Sequence, residues 1–261
     1  MRIFYLKTFL AICCLITVGK VSAEPFSQPF YDNNDECFCY SSPACWQGIY
    51  ISGQLGGGWH KQHAKFRNAN FFNSNEIEVL GSNFNFKSER FVGGGGIGLN
   101  YQMDCFVVGL EGGALSINHR KSITSPFFPT TDRFSSHLHW IGYTKLRIGY
   151  AYNCFLAFIT GGWAGGNIHL RLVDNQLNVA AQSKKWTNGW TVGAGADYKI
   201  TDCFSLGLAY DYISLQYRNR TLSCPTCGSG PGLGTPRVNN HHQAHTLILR
   251  INYLFDLSNL F

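Results

Sequence analysis

Only 14% of the 261 residues are Asp, Glu, Lys or Arg, against roughly 25% in a soluble domain, while aromatics reach 15% and glycine numbers 29. Such a chain is too aromatic and too weakly charged for disorder, and its glycines lack the three-residue period of collagen. Without the first 23 residues the net charge falls from +6 to +3, with the bases scattered, so no nucleic-acid partner is expected.

Residues 1–23 read as a secretory signal. Arg2 and Lys7 flank its start, Phe9 to Val18 is an apolar core, and Val21-Ser22-Ala23 offers small residues for cleavage before Glu24. A lipidated Cys13 or Cys14 is the weaker alternative, because Ile12 is not small. No other apolar run approaches the length of a membrane helix. Residues 24–45 form a short segment bearing Cys37, Cys39 and Cys45, and eight cysteines in all reach an oxidising compartment.

From Trp46 onward the residues alternate with period two, the signature of strands with two unlike faces. In chain order the strands are Gly48–Trp59, Phe91–Met103, Phe106–Asn118, Leu138–Tyr150, Phe155–His169, Trp186–Ile200, Phe204–Tyr212 and His245–Phe255. In the fourth, Leu138, Trp140, Leu146, Ile148 and Tyr150 oppose His139, Tyr143, Lys145 and Arg147. In the sixth, Trp186, Trp190, Val192, Tyr198 and Ile200 oppose Thr187, Thr191, Asp197, Lys199 and three glycines.

A soluble sandwich also alternates, so the decision rests on which face is small. One face is large and aromatic; the other is mostly Gly, Ala, Ser and Thr with a few charges. Glycine on a solvated face would weaken every strand, whereas in a narrow barrel it makes room for lumen side chains, and the aromatic face meets lipid. Tight turns around Cys105, Cys154 and Cys203, each 49 residues apart, alternate with long connections near 60–88, 119–136, 170–185 and 218–241. The expected fold is an all-β, eight-stranded antiparallel transmembrane barrel over residues 46–261, with short periplasmic turns and long extracellular loops.

The blocks Trp46–Gly53, Thr201–Tyr212 and His245–Phe255 resemble the first, penultimate and last strands of the opacity-type, OmpA-like family of outer-membrane barrels. The likeness covers roughly 46–255 and implies a surface-exposed protein of envelope integrity or host contact. Outer-membrane lipid, the barrel insertion machinery and a host or envelope protein are the partners it implies. That machinery would read Tyr253 and Phe255, or Phe261, which keeps the parity of Phe255. Cysteine in the turns departs from the family pattern.

Glu111, Lys145, Arg147, Asp197, Lys199, Asp211 and Arg250 are placed in the lumen as a neutralising polar plug, the alternative being a narrow porin-like path for small solutes. Cys37, Cys39 and Cys45 share the periplasmic side with Cys105, Cys154 and Cys203, where three bridges of open connectivity would tie the N-terminal segment to the turns, the alternatives being free or locally paired cysteines and disulfide links to envelope proteins; Cys224 and Cys227 pinch an outer loop. With His241 and His245 this pair mimics a zinc-finger spacing, but the intervening Gly-Pro run cannot form the finger's helix, and no metal or cofactor is expected. Ser116, His119, Ser135, Ser136, His137 and His139 near the outer rim make a lipid-modifying enzyme conceivable without any fixed nucleophile and base spacing, so an enzyme is not expected. Phe66, Phe71, Phe72, Phe84, Phe86, Phe127 and Phe128 are assigned to outer loops, and Asn219-Arg220-Thr221 fits a glycosylation sequon without evident meaning here.

Overall fold

A sheet in lipid must leave no edge unpaired, because no water is present to satisfy exposed N–H and C=O groups. The computed structural model of this chain meets that requirement by closure. It describes residues 45–68, 83–124, 130, 132–175, 179–224 and 235–255. Strands β1 (Gly48–Phe66), β2 (Asn83–Met103), β3 (Phe106–Thr124), β4 (Asp132–Tyr152), β5 (Phe155–Asp174), β6 (Val179–Lys199), β7 (Phe204–Thr221) and β8 (Arg237–Phe255) pair antiparallel in sequence order, and β1 pairs with β8 to complete the barrel. Gly48 opens β1 at φ 134°, where a Cβ would meet the Phe255 carbonyl at 2.6 Å, so the seam needs glycine.

The tight turns fall where the sequence places them. Asp104 and Asn153 sit in the left-handed region at φ 50° and 49°, which Asp and Asn tolerate better than other side-chain-bearing residues. Between β6 and β7 the Phe204 N–H donates to the Thr201 hydroxyl at 3.0 Å.

The long connections need correction. All eight strands run further outward than the alternation of lipid-type residues suggests, leaving connections at 67–82, 125–131, 175–178 and 222–236. Strands of 18 to 21 residues are about 60–70 Å long at ~3.3 Å per residue. At a typical ~45° tilt they stand about 45 Å tall, well above an apolar band ~25 Å high. The extra length forms a second tier.

In the lower tier the outward residues are apolar, among them Ile51, Leu55, Ile97, Leu146, Ile159, Val192, Leu208 and Leu249, all exposed on the barrel wall. Aromatic girdles bound this band. Near the turns, Phe106 packs on Tyr150, Phe155 on Tyr198 and Phe204 on Tyr253. At the upper edge, Trp163 stacks on Trp186 and Trp190 contacts Tyr212. Above them the phase inverts: Lys61, Lys65, Arg133, Arg171 and Arg237 are exposed on the outer wall. Inside this upper tier, Phe66, Leu115, Ile117, Leu138, Ile141, Ile168, Leu172, Leu215, Val238 and Ile248 form one buried apolar core.

Two assignments change as a result. Phe66, expected in an outer loop, is buried against Phe134 with ring centroids 5.5 Å apart. Leu138 and His139 exchange sides because a bulge interrupts the register between Leu138 and Ile141. Leu138 therefore points inward at 2% exposure, while His139 and Trp140, the latter 57% exposed, both lie on the outer wall.

Candidate functional site: the filled lumen and its two rims

Inward positions from six strands converge in the lower tier. Glu111 on β3 is the hub: Arg250 on β8 donates to both its oxygens, Nη1 at 3.2 Å and Nη2 at 2.6 Å. The hydroxyls of Tyr50 and Tyr143 donate to the same carboxylate at 2.6 and 3.0 Å, and the Gln54 amide at 3.4 Å. Lys145 donates to both Asp211 oxygens at 3.0 Å. Arg147 pairs with Asp197, which also lies 3.8 Å from Arg250 Nε. Lys199, the fourth base, donates to the Cys45 carbonyl and stands 5.4 Å from the Trp46 ring.

All seven charged residues assigned to the lumen are thus buried; six of them meet in ion pairs, and Lys199 lies at the turn end of β6 against Cys45 and Trp46. Glycine supplies the space they occupy. A side chain at Gly98 would collide with the Tyr50 ring, and one at Gly207 with the Asp197 carboxylate. Alternation places Tyr143 on the lumen face but does not reveal the other aromatic groups around the charges. The Phe158 ring lies 3.6 Å from the Arg147 guanidinium, and Trp46, Val107, Ala151, Leu156 and Ala209 join it in an apolar layer at the turn end. Tyr50 was legible in principle, since it shares parity with Ser52 and Gln54. It was missed because the alternation of β1 is broken by three consecutive glycines.

At the periplasmic rim Cys45, Cys105 and Cys203 are free thiols, the first and third exposed, and Cys154 is not free. Three bridges among six turn-side cysteines is therefore not the arrangement the structure holds. Cys37, Cys39 and Cys227 lie outside the described residues, and Cys224 is buried at the outer end and is not free.

The outer-rim candidates separate. Ser136 points into the barrel, whereas His137 and His139 face outward, so strand alternation keeps the hydroxyl and imidazoles on opposite sides of the wall. Ser135 donates to the Arg171 carbonyl at 3.4 Å, Ser116 is half-buried, and the His119 side chain lies outside the described residues. His241 and His245 hydrogen-bond Ser214 and Tyr210 on β7, away from buried Cys224. At the end of the chain, Phe255 faces outward and packs on Tyr253; Phe261, the loop residues Phe71, Phe72, Phe127 and Phe128, and the side chains of Phe84 and Phe86 lie outside the described residues.

A barrel of this topology, with an apolar wall, girdles at two heights and a packed polar interior, agrees with a family model described as outer membrane protein beta-barrel domain, which matches residues 43–245. The chain belongs to this outer-membrane barrel family. Among relatives, the 31 kDa outer-membrane immunogenic protein of Brucella melitensis is 30% identical over 178 residues, covering 67% of this chain and 73% of the relative. The 25 kDa outer-membrane immunogenic protein of Brucella abortus is 29% identical over 181 residues, covering 69% and 71%. Among solved structures, OprG from Pseudomonas aeruginosa aligns with a TM-score of 0.45 and 10% identity over 80% of this chain and 97% of its own. The resemblance drawn from the three strand blocks is borne out, and the outer membrane is where this barrel resides.

Proposed function

We propose that this outer-membrane barrel is a closed, non-enzymatic protein with a structural and surface-interaction, adhesin-like role, and that it is not a pore. The carrying observation is the double filling of its lumen. The ion-paired layer of Glu111, Arg250, Arg147, Asp197, Lys145 and Asp211 lies beneath the apolar core that runs from Ile248 to Phe66. A hydrated ion would have to displace paired charges and then pass a packed core in which apolar side chains surround buried Gln62, Asn240 and His242. The test is conductance of the purified protein in planar bilayers, where the current stays near the bare-bilayer level; large stable open channels would instead establish the porin-like reading.

The exposed thiols of Cys45 and Cys203 favour a further role on the periplasmic side, disulfide linkage to an envelope protein. Non-reducing electrophoresis of isolated envelopes would then show reductant-sensitive adducts that disappear in Cys45→Ser and Cys203→Ser variants, and monomer alone would end this reading. The outward pair Tyr253 and Phe255 at the end of β8 is the reading surface for the insertion machinery in this account.

A further inference from the structure

The wall of β4, β5 and β6 changes character within two residues of the upper girdle. Cross-strand register places His139 and Trp140 beside Asn167 and Trp186, and the adjacent row facing the same way is His137, His169 and Lys184. The next outward row carries Arg171. The rings of His137 and His139 lie 6.0 Å apart, and those of His137 and His169 6.2 Å apart. Lys184, Arg171 and Arg133 are exposed. Among the described outward positions of these three strands beyond the tryptophans there is no carboxylate: Asp132 and Asp174 alternate to the inner side.

Height identifies the occupant. At a ~45° tilt two residues of strand rise about 5 Å and four about 9 Å, and the headgroup layer on each side of the hydrocarbon is about 5–8 Å thick, so the long Arg171 side chain reaches down into the layer that the row below it occupies. Tryptophan marks the lower boundary of that layer, because its ring is apolar and its N–H is polar. The row of His137, His169 and Lys184 therefore lies at headgroup level. It points sideways from the wall into the leaflet, not upward toward soluble molecules at the strand tips. Imidazole N–H groups, an ammonium and a guanidinium gathered with no acid among the described outward positions of these strands are the donors a phosphate monoester recognises.

We propose that His137, His139, His169, Arg171 and Lys184 form a binding site for the phosphate groups of outer-leaflet lipids, seated directly above Trp140 and Trp186. The site fixes the barrel's depth and rotation in the leaflet by holding an anionic headgroup against one arc of its wall.

The experiment reconstitutes the full-length protein in phosphatidylcholine vesicles and compares spin-labelled phosphatidic acid with spin-labelled phosphatidylcholine at the protein boundary. Phosphatidic acid is expected to be enriched about fivefold, the scale of one surface cation acting on one anionic lipid. The enrichment falls to near unity in the R171Q/K184Q double variant and is retained in R218Q on β7; heat-modifiable mobility confirms that each variant is folded. Added salt must also abolish it in the unaltered protein, which tests the site without any substitution. Absence of enrichment, equal enrichment in the double variant, or insensitivity to salt overturns the proposal. Displacement of the lipid by an equal concentration of inorganic phosphate, or of a sulfated oligosaccharide, assigns the site to a soluble anion and overturns the lipid source.

Discussion

The two tiers of this barrel are made by the same strands with the same two-residue period, yet they are inside-out relative to each other. In the lower tier Leu249 and Leu146 face out and Arg250 and Arg147 face in; in the upper tier Lys61 and Arg171 face out and Phe66 and Leu172 face in. Backbone geometry is indifferent to this exchange, since a strand only guarantees that neighbours point to opposite sides. What differs is the solvent on the outer wall. Lipid accepts leucine and leaves the charges to pair in the lumen, while water accepts lysine and leaves the apolar side chains to pack there. The contrast teaches that an apolar core can pack inside the barrel where its exterior is wet, although buried Gln62, Asn240 and His242 share that interior.

The contrast is tested most severely at the Glu111 hub. Replacing Glu111 by Leu strands Arg250 without its two charged hydrogen bonds, and the expected loss is about 3–5 kcal/mol in urea unfolding from vesicles. The double variant E111L/R250M removes both partners and should recover most of that loss; if it is as unstable as the single variant, the layer acts through packing and not through charge. Next in size is a comparison of one substitution in both tiers. Arginine at Leu249, on the lipid-facing wall, should cost about 2–4 kcal/mol, whereas arginine at His63, on the upper wall, should stay within about 0.5 kcal/mol. Equal costs at the two positions would erase the distinction between the tiers.

A third substitution examines the upper interior: Leu115→Ala should cost about 2–5 kcal/mol by leaving a cavity in the apolar core. The smallest effect belongs to pH. Burial, and then the neighbouring His63, hold the His241 imidazole below its ordinary value, and its Nε2 lies 3.0 Å from the Ser214 hydroxyl. Below about pH 6.5 the unfolded chain binds a proton that the folded one resists, so stability present above that pH is lost as the medium is acidified. His241→Asn should flatten the pH dependence of the unfolding midpoint between about pH 7.5 and pH 5, and an unchanged slope would remove His241 from the account.

Much of the lower tier was legible in the chain. Trp186 to Lys199 alternates so cleanly that Asp197 and Lys199 could be assigned to the lumen and Trp190 and Val192 to the wall, and the structure places them there. The upper tier was not legible, because the search for strands relied on a large apolar outer face and β1 loses that face at Lys61. Its alternation continues with Lys61 and Lys65 outward and Ala64 and Phe66 inward, which reads as loop composition when lipid is the assumed surroundings. The fault at Leu138 has another origin: a bulge consumes one residue, and every assignment beyond it changes side.

The sequence by itself determined the eight strands of the lower tier, the three tight turns and the set of charges in the lumen, because period-two alternation is a local property that any extended segment expresses. Tertiary structure decided which of those charges meet. Glu111 and Arg250 are 139 positions apart and become partners only through barrel closure, when β1 joins β8 and inward side chains from opposite walls reach one another. Closure likewise decided that the outer ends of the strands would continue as a barrel and not fray into loops, since only a closed ring gives Phe66, Leu115 and Leu172 a common interior away from water.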